Sequence, residues 1–163
     1  PLSAAPFHFS RTVIGAFGLV GVIGALMAAR AGHWADRGHA QRTSCVALLL
    51  LLLAWGPLSL LHTSLGALMV GIVLLDLGGQ ALHVTNQSMI LRTRPEASGR
   101  LIGLYMLFYA AGSGLGAIAS TMAYARAGWQ GLCQLGAAVS LLALLLWWWT
   151  RHHGDSPDPA SNA

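Results

Sequence analysis

Long apolar blocks constrain this chain more than any other feature. Each block approaches the roughly 20 residues that a helix needs to cross a bilayer. The whole chain is 55% hydrophobic and only 9% charged, whereas soluble domains carry about 25% charged residues. We therefore predict an all-α integral membrane protein with five transmembrane helices. The predicted spans are residues 12–31, 45–61, 65–91, 101–125 and 129–150.

The arginines predict how these spans are oriented. All nine basic residues are arginine, and seven of them fall on one side of the predicted topology. Under the positive-inside rule that side is cytoplasmic. Residues 1–11 then form an extracytoplasmic loop, residues 12–150 form the helical part, and residues 151–163 form a disordered cytoplasmic tail. We expect a multi-pass protein of the cell membrane, which is the inner membrane if the source is Gram-negative.

The net charge of +4 needs no nucleic-acid partner, because arginines at the span ends would face anionic lipid headgroups. The predicted partner is the lipid bilayer itself. No prosthetic group or other cofactor is expected. His33, Asp36 and His39 are spaced three apart, but three donors in a wet loop without cysteine are weak grounds for a metal site, so none is predicted.

The polar stretch GHWADRGHAQR, residues 32–42, interrupts the apolar sequence between the first two spans. Its glycines, Gly32 and Gly38, permit tight turns. Asp36 can face a helix N-terminus or an arginine, while Arg37 and Arg42 can reach carboxylates or lipid phosphates. The simplest interpretation is a cationic interfacial loop that fixes topology.

This stretch resembles the Gly-x-x-x-Asp-Arg-x-Gly loop signature of the major facilitator superfamily. Here Gly38 follows Arg37 directly, one residue earlier than in the commonest form. A second stretch, residues 78–116, looks like the tenth helix, cytoplasmic loop and eleventh helix of drug-efflux-like members; it carries a Pro-Glu-Ala-x-x-Arg turn and a Tyr-bearing, Gly-rich helix.

The resemblance implies a partial major-facilitator fold containing about helices 8 to 12 of twelve. The chain would then be a fragment that needs the missing N-terminal helices of the same transporter and is not competent alone. The resemblance also implies alternating access and suggests efflux. In such transporters the signature loop is a conformational latch. By resemblance that role falls to Asp36, Arg37 and Arg42, with Gly32 and Gly38 shaping the turn.

Four polar residues fall on one face of the third predicted span. At about 100° per residue they lie within a stripe of roughly 60°, and Asn86 lies just off its edge. Since an ionisable group that faces lipid costs at least ~2.5 kcal/mol, the stripe favours the lining of a watery cavity. A structural network between helices is the alternative. The stripe consists of Asp76, Gln80, His83 and Gln87.

Tyr105, Tyr109 and Ser113 step by four along the fourth span. They would offer hydroxyls and aromatic faces to an amphipathic or cationic substrate if they face the same cavity. Packing between helices explains them equally well. The stripe itself suggests that Asp76 binds a coupling proton and that His83 assists or contacts substrate.

Three function classes remain. Secondary active transport of a small molecule, coupled to protons, explains the loop, the stripe and the topology together, and we favour it. An intramembrane serine protease would need a serine and a histidine within the spans; Ser113 and His83 exist, but Ala111 stands where a Gly-x-Ser-Gly motif would need its first glycine. A structural or assembly subunit without transport activity is the third class.

Overall fold

The computed structural model describes residue 30 and residues 32–61, 64–93 and 95–154. Within that part the chain is almost entirely helical. Helix α1 is Ala40–Ser59, α2 is Leu65–Thr93 and α3 is Ser98–Gly154. A π-helical turn, Ala35–His39, precedes α1, and a 3₁₀ turn, Pro95–Ala97, precedes α3. The predicted loop 1–11, nearly all of the predicted span 12–31, and the tail beyond residue 154 lie outside the described residues.

By length and composition, three described helical stretches suit a membrane crossing, and the third of them, Ser98–His152, is 55 residues long. A straight helix of that length would measure about 80 Å, far more than a hydrocarbon core of about 30 Å. Non-helical backbone at Ala127 (φ −133°) and Gly128 (φ 60°) divides it. The break falls within the predicted connection 126–128. The count of five spans stays a prediction.

Helices α1 and α2 form a closely packed hairpin. Two glycines of α2, Gly71 and Gly78, face α1 without a side chain between the backbones. A β-carbon at Gly71 would come within 2.6 Å of Leu58 Cγ, and one at Gly78 within 2.9 Å of the Ala47 carbonyl oxygen. Small residues at these two positions therefore set the helix separation.

The second half of α3, after the break, runs antiparallel to α1. Near one end, the indole of Trp129 donates to the Leu58 carbonyl at 2.6 Å, and near the other end that of Trp147 donates to Gln41 Oε1 at 3.0 Å. Gln41 and Leu58 are 17 positions apart in α1, which corresponds to about 25 Å at 1.5 Å per residue. The two tryptophans therefore stand nearly a hydrocarbon thickness apart, as interfacial anchors would.

The buried core lies where α1, α2 and the second half of α3 meet. Trp55 crosses from α1 to α3, where its ring packs on Gly136 and its indole nitrogen donates to Ser140 Oγ at 3.0 Å. The core residues are Ala54, Leu58, Leu61, Leu68 and Cys133.

The first half of α3 is largely uncovered. Phe108 and Leu115 are 68% and 69% exposed. Gly112, Gly114 and Gly116 have no described neighbour where a β-carbon would point. This half contacts α2 mainly around Tyr105 and Tyr109, and that contact defines the site below.

Candidate functional site

A cavity of about 560 Å³ lies between α2 and the first half of α3. This volume is within the range of about 300–1,000 Å³ that small-molecule sites occupy. Its walls combine an acid, amides and an imidazole on α2 with aromatic rings on α3. The lining residues are Ile72, Leu75, Asp76, Gly79, Gln80, Leu82, His83, Asn86, Tyr105, Phe108 and Tyr109.

The helical repeat explains why α2 presents these side chains together. Asp76, Gln80 and His83 are spaced by four and three residues, so they share one face of the helix. Gly79 lies on the same wall with nothing within 4 Å of a β-carbon placed there, which leaves open volume at the centre of the helix. The apolar residues of the opposite face pack on α1.

Both ring nitrogens of His83 form side-chain hydrogen bonds at the cavity wall. Gln87 Nε2 donates to His83 Nε2 at 3.0 Å, and His83 Nδ1 donates to the Tyr105 hydroxyl oxygen at 2.8 Å. Because an amide nitrogen can only donate, Nε2 of the ring accepts and the ring proton resides on Nδ1. The Tyr105 hydroxyl proton is then free to point into the cavity, where Asn86 also interacts with this tyrosine.

Three rings form a cluster at this wall. The centroid of His83 lies 4.7 Å from that of Tyr109 and 5.5 Å from that of Tyr105, at interplanar angles of 46° and 33°. The two tyrosine centroids are 6.3 Å apart. Tyr109 is 54% exposed, so one side of its ring faces open space. Such a wall offers π-faces to a cation or to an aromatic ligand.

Within the described part of the chain, the Asp76 side chain has no partner. Its side chain is half-buried and lines the cavity, and no described residue forms a hydrogen bond or an ion pair with its carboxylate. His83 is the one basic side chain in the described lining, and it lies seven residues further along α2, about 10 Å along the helix axis. A carboxylate in this setting is available to a proton or to a cationic ligand.

Two of the predicted site residues do not line the cavity. Gln87 lies behind His83 and orients its ring. Ser113 is exposed and is absent from the lining. Conversely, Asn86 and Phe108 belong to the wall, although the stripe placed Asn86 just off its edge and gave no role to Phe108.

The predicted loop packs against the hairpin at the other side of α2. Gly32 is buried, and a β-carbon there would lie 2.8 Å from Val84 Cγ1. Gly38 has φ 87°, a left-handed conformation that favours glycine, and it lies inside the π-helical turn, one residue before its end at His39. Arg37 and Arg42 are exposed. The side chain of Asp36 lies outside the described part, so its predicted latch contact stays a prediction.

The comparison with known protein families decides the class of the chain. The family described as the Major Facilitator Superfamily matches residues 1–163. The chain belongs to this superfamily. This membership places the chain in a family of membrane transporters.

Curated relatives agree with this superfamily assignment. The chain is 44% identical over 143 residues to the uncharacterized transporter YgaY of Escherichia coli, both in strain K12 and in O157:H7. The alignment covers 88% of this chain but 36% of each relative. The chain thus spans about a third of the length of these relatives. No solved structure matches it.

Proposed function

We propose that the chain supplies one wall of the substrate pathway in a proton-coupled transporter that exports amphipathic organic cations by alternating access. The observation that carries this proposal is the carboxylate of Asp76, which no described residue pairs with, in a cavity of about 560 Å³ with an aromatic wall. Carboxylate and π-faces together select a cation with an apolar body.

Asp76 couples the proton flux to the substrate flux, because one carboxylate cannot hold a proton and a cationic ligand at once. Binding of the cation favours the charged carboxylate and releases the proton, while protonation on the other side of the membrane releases the cation. Asp76 lies eleven residues beyond Leu65, about 17 Å into α2, so it is near the middle of a crossing. That depth suits a site reached alternately from both sides.

His83 and Tyr105 bind the substrate and extend the polar path. Gln87 fixes the tautomer of His83, and His83 in turn fixes the Tyr105 oxygen as an acceptor. The Tyr105 hydroxyl is left as a donor aimed at the cavity. Gln80 stands between Asp76 and His83 on the same helix face and bridges them through water.

Further helices of the transporter complete this cavity. In the first half of α3, Gly112, Gly114 and Gly116 have no described neighbour where a β-carbon would point, and the polar wall around Tyr109 is exposed. Polar surface inside a membrane needs covering by protein or by a water-filled cavity. The relatives are nearly three times longer than the aligned segment, which leaves room for such helices. The chain by itself would then be unable to transport.

The loop before α1 acts as a conformational latch at the cytoplasmic side, through Asp36 with Arg37 and Arg42 beside it, on a turn shaped by Gly32 and Gly38. The positive φ of Gly38 and the close packing of Gly32 hold the loop in one place on the hairpin. Asp36→Asn should lower the transport rate while the arginines keep the topology. Cysteine-accessibility mapping of that variant checks the topology; an inverted or uninserted protein would show that the loop only sets orientation.

Ethidium, a fluorescent aromatic cation, tests the proposed activity. We expect proteoliposomes that contain the natural protein to accumulate ethidium against its concentration gradient when a pH gradient is imposed. This accumulation should stop when a protonophore dissipates the pH gradient. The flux should saturate with ethidium concentration. A structural or assembly subunit would show no saturable, gradient-dependent flux, and that result would contradict the proposal.

A further inference from the structure

A second pocket lies on the opposite side of α2 from the cavity, and we call it the basic groove. Its volume is about 490 Å³. Arg30, Arg37 and Arg42 stand at its mouth, and its floor is formed by apolar residues of α1 and α2, among them Val46 and Leu77. We propose that the basic groove binds an acidic phospholipid, with the phosphate at the arginines and an acyl chain on the apolar floor.

Among the described residues, no acidic side chain balances the charge at the mouth. All three arginines are exposed, and none forms an ion pair or a hydrogen bond with a described residue. The described lining contains no acidic side chain. Guanidinium groups bind phosphate oxygens in bidentate fashion, and basic pockets between transmembrane helices hold acidic lipid headgroups.

The floor selects a lipid over a free anion. The lining follows α1 from Thr43 to Leu50, a rise of seven residue steps or about 10 Å along the axis, with Leu77 and Ala81 of α2 also in the lining. Trp34, 58% exposed, lies at the mouth beside the arginines, where an interfacial tryptophan belongs at headgroup level. A charged mouth over an apolar floor matches a phosphate attached to a hydrocarbon chain.

The groove is separate from the transport cavity. Leu77 and Ala81 lie on a different face of α2 from Asp76 and His83, and no residue lines both pockets. The inference therefore does not depend on the proposed transport activity. Lipid binding and ethidium flux can each fail without the other.

Native mass spectrometry of the natural protein in mild detergent tests the inference. We expect phosphatidylglycerol to bind more tightly than phosphatidylcholine with the same acyl chains. Arg37→Gln with Arg42→Gln should weaken phosphatidylglycerol binding about fivefold for each arginine removed, or about 1 kcal/mol each. The matched control, Arg100→Gln with Arg151→Gln, removes the same charge outside the groove and should leave binding unchanged.

A second variant tests the floor while every arginine is kept. Val46 is 56% exposed, so Val46→Trp should fold and fill the groove. We expect it to lose phosphatidylglycerol binding, and inorganic phosphate to leave bound lipid in place. Equal weakening by both arginine pairs, full binding by Val46→Trp, or displacement by inorganic phosphate would each overturn the proposal.

Discussion

His83 Nδ1 lies 2.8 Å from the hydroxyl oxygen of Tyr105, and this bond joins α2 to the first half of α3. Gln87 holds the other ring nitrogen at 3.0 Å, so the imidazole is fixed at both ends. The bond therefore does two things: it orients a potential ligand donor and it closes one side of the cavity.

Tyr105→Phe removes the hydroxyl and keeps the ring. Because His83 Nδ1 loses its acceptor, an unsatisfied donor remains, at a cost of about 1–3 kcal/mol. We expect ethidium transport by the natural protein to fall about tenfold at subsaturating concentration. Tyr109→Phe is the matched control, since the Tyr109 ring contacts His83 but its hydroxyl bonds no described residue. Equal losses in both variants would show that the hydrogen bond is unimportant.

Gly78→Ala should destabilise the α1–α2 hairpin. The added methyl group would meet the Ala47 carbonyl oxygen at 2.9 Å, so the helices must separate. A loss of about 1–3 kcal/mol in the free energy of unfolding follows from such overpacking. The neighbouring Gly79→Ala meets nothing within 4 Å and should be neutral or slightly stabilising. Thermal unfolding in detergent compares the two; equal melting temperatures would contradict the packing described.

Gly38→Ala tests the turn that seats the loop. No atom crowds a β-carbon there, so the cost comes from the backbone, whose φ of 87° is unfavourable for alanine by about 1–2 kcal/mol. We expect a lower melting temperature. Gly103→Ala, in α3 with equally open surroundings, should not lower it. If Gly38→Ala is as stable as the unsubstituted protein, the turn does not adopt this conformation in solution.

Thr85→Val should stabilise the protein by about 1 kcal/mol. Thr85 is fully buried and its hydroxyl has no hydrogen-bond partner among the described residues, so an apolar side chain of the same shape removes a desolvation cost. Thr43→Val is the control of opposite sign, because the Thr43 hydroxyl donates to the His39 carbonyl at 3.1 Å. A lower melting temperature for Thr85→Val would mean that its hydroxyl is satisfied.

Apolar length predicted the helices well because hydrocarbon thickness leaves few alternatives. The predicted span 65–91 corresponds to helix α2, Leu65–Thr93. The predicted connection 126–128 contains the break in α3 at Ala127 and Gly128. The predicted start at residue 45 was late: α1 begins at Ala40, because the polar residues Gln41 and Arg42 form its first turn. Helices extend past the apolar segment wherever polar side chains reach the interface.

The helical period brought Asp76, Gln80 and His83 to one face, and the cavity contains all three. Ser113 shows the limit of the helical repeat as a predictor. The repeat predicts which residues share a face, but not how far a neighbouring helix follows that face. For the same reason, the basic groove could not be predicted from the sequence. Arg30, Arg37 and Arg42 converge only because the loop folds back on α1 and α2.

Asp76→Asn in the natural protein tests the central claim most directly. An amide cannot bind and release a proton, so we predict that an imposed pH gradient no longer drives ethidium uphill, while downhill ethidium flux continues with a higher KM. Glu96→Gln, which neutralises an exposed carboxylate outside the cavity, should keep uphill transport. Uphill transport by Asp76→Asn on an imposed pH gradient would contradict the account and leave the polar stripe of α2 with a structural role.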